Sequence, residues 1–139
     1  MPDVMVRGLY RASSDAGLIS SGTVSFASGD DLTTEKRTSA ISVGEMPLHQ
    51  DQMFYLAVEK PSDDTAGDLT VSTYNLVKFG SNVREVLHTT HTVDMVSGQA
   101  SYRGFLIQGL FVGEGQVKLG FKFAADSGAI DVLWKLYRL

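Results

Sequence analysis

The 139-residue chain contains no cysteine. Disulfides and thiolate zinc sites are thereby excluded. A reducing compartment is compatible with that composition. Charge is also sparse. Charged residues make up 20% of the chain, below the usual quarter. The formal net charge is −4, and no basic block occurs, so electrostatic binding of nucleic acid is not expected. No apolar run approaches the roughly 20 residues of a membrane span, and no membrane association is expected. The first ten residues, MPDVMVRGLY, carry an early acid and no apolar core of signal length, so no secretory signal is expected. Helical periodicity is nearly absent, and only three prolines interrupt the chain. No nucleophile elbow, HExxH, Walker A or dinucleotide fingerprint is present. The expectation is a protein that is not an enzyme and needs no cofactor.

Alternating and β-branched or aromatic runs take the place of helices. Turn residues recur about every ten positions, the spacing of a sandwich or barrel. LISSGTVSFA (18–27) puts Val24 and Phe26 on one face. A polar loop at 29–37 precedes a short strand at 38–43, an irregular connection at 45–52 and a strand at 53–59. KPSDDTAGD (60–68) is the clearest loop. In LTVSTYNLV (69–77), Leu69, Val71 and Thr73 share one face, and Tyr74 and Leu76 the other. FGSN (79–82) reads as a turn into an antiparallel partner at 83–93. FLIQGLFV (105–112), GEG and QVKLGFKF (116–123) read as a hairpin. In its second arm Val117, Leu119, Phe121 and Phe123 face one way, and Lys118 and Lys122 the other. A last strand runs to Leu139. At this size about two-thirds of the unfolded surface can be buried in one core. The fold class expected is all-β, an antiparallel sandwich of about eight strands. Residues 1–12 form an arm or edge strand, and 13–139 a single domain.

Three groups of residues invite a chemical reading. HTTHTVD (88–94) carries two histidines three apart and an aspartate. On a helix that spacing could hold a metal. In a strand successive side chains alternate, so His88 and His91 would point opposite ways. The run of threonine and valine favours the strand, and no metal site is expected. Asp30, Asp31, Asp63, Asp64 and Asp68 fall in loops without calcium-loop spacing and read as solvated turn residues. Tyr55, Tyr74, Tyr102, Trp134 and Tyr137 could build a sugar-stacking platform, or simply the core.

Two strands are apolar on both faces. FLIQGLFV has one polar residue, and VLWKLYRL alternates Val132, Trp134 and Leu136 against Leu133, Tyr137 and Leu139. A sheet with one wet face should alternate cleanly, so a second surface is expected to cover the other face. Large exposed apolar patches are rare in monomers. The interface expected from this pattern comprises Val4, Val6, Leu9 and Tyr10 of the arm, then Phe105, Ile107, Phe111, Trp134 and Tyr137. Self-association with cyclic symmetry, a homotrimer, is the expected form.

The stretch YRGFLIQGLFVGEGQVKLGFKF and the final strand after it resemble compact, trimerising jelly-roll domains. With the small size, absent cysteine and Gly/Ser/Thr richness, the chain resembles phage capsid decoration (cement) proteins over residues 69–139. The resemblance implies a jelly-roll sandwich made in the host cytoplasm and placed on the outer capsid surface of the virion. There it would bind the major capsid protein and tie capsid subunits together. The arm could add to a neighbouring sheet, and many repeated weak contacts would supply avidity. The alternative expectation is a carbohydrate-binding module or lectin-like receptor binder.

Overall fold

The computed structural model describes residues 17–27, 29–44, 53–60, 67–95, 101–108, 115–124 and 129–139. Among these, nine strands and no helix are present: β1 (Leu18–Phe26), β2 (Lys36–Arg37), β3 (Ile41–Ser42), β4 (Met53–Lys60), β5 (Gly67–Phe79), β6 (Asn82–Met95), β7 (Ser101–Gln108), β8 (Gln116–Phe123) and β9 (Ile130–Arg138). They form two antiparallel sheets. One has the order β1-β9-β4-β7. In the other, β8 pairs with β2, β3 and β5, and β6 closes the far edge. The sheets face each other as a sandwich. The all-β sandwich expected from the alternation is the fold.

The pairings are nested. β1 pairs with β9, β2 and β3 with β8, β4 with β7, and β5 with β6. First meets last, and the centre closes as a hairpin. Gly80, at φ +64°, sits in that turn, where a left-handed backbone suits glycine.

Period-two alternation sorts the side chains as the sequence predicts. Val117, Leu119, Phe121 and Phe123 of β8 are all buried, opposite Asn75, Thr73, Val71 and Leu69 of β5. From the other sheet come Phe54, Leu56 and Val58 of β4 and Ile130, Val132, Trp134 and Leu136 of β9. Phe26 meets Phe123 edge-on across the interior, centroids 5.8 Å apart and planes at 71°, a favoured aromatic geometry. Arg138, at the end of β9, donates a guanidinium hydrogen bond to the Val43 carbonyl beside β3 and so ties the two sheets together.

The expected hairpin between 105–112 and 116–123 does not form. β7 pairs with β4 in one sheet, whereas β8 lies in the other. Both edges of β8 are already occupied, by β5 on one side and by β2 and β3 on the other. β7 therefore takes the free edge of β4. Gly115, at φ +71°, lies immediately before β8, where the sequence pattern suggests a hairpin turn. That turn signal is local and cannot say which edge is vacant.

Candidate functional site

Trp134, on central strand β9, is 6% exposed in the single chain. It packs so close to β1 that a β-carbon at Gly22 would lie 2.9 Å from its ring. Ile107 is buried in the same core, and Phe105 packs half-buried against it. Trp134 and Ile107 fill the space between the sheets, and Phe105 packs at its edge. At Trp134 and Ile107 the second sheet of the same chain already supplies an apolar cover. Tyr137 lies on the outer side of β9, yet is enclosed, its ring 6.3 Å from that of Tyr55. Val4, Val6, Leu9, Tyr10 and Phe111, with the arm expected over 1–12, lie outside the described residues.

The histidines are strand residues, but not on the simple alternation. A bulge opposite Thr73 and Tyr74 inserts one extra residue into β6 at His88. A bulge resets the alternation, and both rings reach β7. His91 stacks on Phe105 at 4.4 Å, and His88 Nε2 lies 3.1 Å from the Gln108 carbonyl. They close the sandwich edge between β6 and β7. Among the described residues no three metal-ligating side chains gather into one group.

On the outer face of the five-stranded sheet, a charged cluster covers Tyr74. Its hydroxyl donates to Glu35 at 2.7 Å. The Arg37 guanidinium lies 3.9 Å above its ring and forms ion pairs with Glu35 and Glu85, and Lys118 reaches Glu85 from β8. Burial, then the Glu35 hydrogen bond, raises the Tyr74 pKa. Burial alone would raise that of Glu85, but hydrogen bonds from Lys118 and Arg37 outweigh it and lower the pKa. A β-carbon at Gly120 would lie 2.6 Å from the Glu35 carboxyl, so only glycine leaves room for the cluster's anchor. Every member has a partner, and the cluster staples β2, β5, β6 and β8.

Two further surfaces stand out among the described residues. The first is the end of the β5–β6 hairpin. β5 pairs with β8 only as far as Asn75. Beyond it, residues Leu76–Phe79 and Asn82–Glu85 pair only with each other among the described residues. Phe79 is 58% exposed, Val83 53% and Leu87 56%, with Val86 also exposed. The second is a trough of about 500 Å³ on the outer face of the four-stranded sheet, between Thr23, Tyr55, Glu59, Tyr102 and Leu133.

No protein-family model and no curated protein matches the chain.

Proposed function

We propose that the chain is a non-enzymatic structural protein that binds the outside of a phage capsid and reinforces contacts between capsid subunits, as a jelly-roll homotrimer. The nested strand pairing, with β2 and β3 taken as halves of one interrupted strand, supports the jelly-roll reading, in which two Greek keys are rolled together. The observation that carries the assembly reading is the hairpin end. A two-stranded ribbon is marginal in water by itself. This one also exposes Phe79 on one face and Val83 on the other, with Val86 and Leu87 continuing those two faces along β6, and exposed apolar side chains that cluster mark interaction sites. A partner that grips the ribbon on both faces stabilises it and covers its apolar side chains. Repetition over a lattice then gives tight attachment from individually modest contacts.

The test is native mass by light scattering over a concentration series, with co-sedimentation against a panel of tailed-phage capsids lacking decoration protein. The expected result is a trimer of the 15.1 kDa chain that co-sediments with capsids, and a Phe79→Asp/Val83→Asp variant that does neither. A wild-type chain that stays monomeric and leaves capsids unbound overturns the proposal.

A further inference from the structure

The trough on the four-stranded sheet follows from side-chain size along three rows that cross the strands. Strand register sets Lys135, Ala57 and Gly104 side by side, with Ser21 next in line on β1. Ala57, Gly104 and Ser21 are small, so the floor is low on either side of Lys135. One row away, Thr23, Leu133, Glu59 and Tyr102 stand in register as a taller wall. The opposite row carries Tyr55. A β-carbon at Gly104 would overlap the Tyr55 hydroxyl, so glycine there lets this ring lie flat across β7. Contact with Tyr137 holds the ring from behind. Tyr102 is 65% exposed at the rim, and the Arg103 guanidinium, donating to the Tyr102 carbonyl at 2.8 Å, pins the backbone beneath it. With strands about 4.8 Å apart, four of them make a floor roughly 14 Å long.

The chemistry of this trough selects its occupant. Flat apolar surface comes from Tyr55, Tyr102 and Leu133. Hydroxyls of Ser21 and Thr23 donate and accept, Glu59 accepts, and Lys135 donates. Glu59, Lys135 and Arg103 line the groove, with the Arg103 guanidinium held on the Tyr102 carbonyl, so charges of both signs are present and no run of one sign selects a polyanion or a polycation. A purely hydrocarbon ligand would strip water from the Ser21 and Thr23 hydroxyls and the Glu59 carboxylate without replacing it, at high cost. An extended peptide seeks unpaired backbone along a sheet edge, whereas this floor lies on the face of the sheet and runs across its strands. A pyranose matches on both counts, with an apolar C–H face for the rings and a rim of hydroxyls for the walls. We propose that the trough over β1, β9, β4 and β7 is a binding site for a neutral oligosaccharide, with Tyr55 and Tyr102 as the stacking residues.

The experiment is an NMR titration of the full chain with a panel of neutral tetrasaccharides (β-1,4-glucan, α-1,4-glucan, galactan, mannan and chitin types), with a Lys/Asp-free hexapeptide as comparison. At least one sugar is expected to shift amides of β4, β7 and β9 saturably. Tyr102→Ala should weaken that binding about tenfold, the scale of one aromatic contact, with the fold unchanged because the side chain is exposed. Gly104→Val should also weaken it by lifting Tyr55. The Phe79→Asp/Val83→Asp variant should bind sugar normally, which separates this site from the assembly surface. The proposal is overturned if no sugar shifts these strands, if Tyr102→Ala binds unchanged, or if only the peptide binds.

Discussion

At the scale of single residues, Thr73 on the inner face of β5 is held by a specific partner. Thr73 is fully buried. Its Oγ1 lies 2.9 Å from Thr89 Oγ1 and accepts the Thr89 N–H at 3.2 Å. The bulge at His88 disturbs the ladder at this point, and the hydroxyl supplies an acceptor to the displaced donor. Thr73→Val keeps the shape and strands that N–H. Urea denaturation should show a loss of about 1–3 kcal/mol, and Thr73→Ser should restore most of it. Phe121→Ala removes a ring with no exposure at all and should cost about 3–5 kcal/mol in the same assay. The side of the strand on which Thr73 and Phe121 lie is legible from alternation alone. The bulge is not, because nothing in HTTHTV announces an extra residue. It arises from fitting β6 to β5 while both histidines reach β7.

At the scale of elements, the cluster over Tyr74 sets how the five-stranded sheet responds to pH. Glu85 has a lowered pKa in the fold. Its contribution is therefore complete above the ordinary glutamate range and is lost as pH falls through the folded value. Asp30, hydrogen-bonded by Lys36 and the Ala27 N–H, and Asp31, hydrogen-bonded by Thr33, are also lowered and act in the same direction. Tyr74 is raised. Its contribution is complete below the ordinary tyrosine range near 10 and is lost as pH rises through the folded value. Thermal unfolding should therefore show a plateau across neutral pH, with declines below about pH 4.5 and above about pH 10. Glu85→Gln should flatten the acid limb and cost under about 1 kcal/mol at pH 7, since the pairs are partly solvated. The composition shows many of these charges but not their meeting. Glu35 and Glu85 are fifty positions apart and converge only because β2 and β6 lie over one sheet face.

At the scale of the whole molecule, nesting makes the last strand indispensable. β9 is a central strand, hydrogen-bonded to β1 on one side and β4 on the other, and it supplies Val132, Trp134 and Leu136 to the core. Deleting 130–139 should leave a chain without cooperative thermal unfolding, as followed by far-ultraviolet circular dichroism. Pairing the first strand with the last also requires closure of a loop nearly as long as the chain, so refolding should fall at the slow end, milliseconds to seconds or longer, in stopped-flow fluorescence of Trp134.

The aromatics mark where sequence stops and structure begins. Tyr55, Tyr74, Tyr102, Trp134 and Tyr137 are all visible as a set that could stack on sugar or fill a core. The fold divides them. Trp134 enters the core, Tyr74 goes beneath Arg37, Tyr137 is enclosed, and Tyr55 and Tyr102 share the trough. The amino-acid sequence by itself determined that the chain is all-β, where most strands run, and which of their faces turns inward. Period-two alternation is a local property, and burial of one face enforces it whatever the partner. Only the tertiary structure decided that β7 joins β4, that the histidines close an edge, and which aromatics reach solvent. Those outcomes depend on which sheet edges remain vacant and on which rows come into register, and both are settled by contacts between residues far apart in the chain.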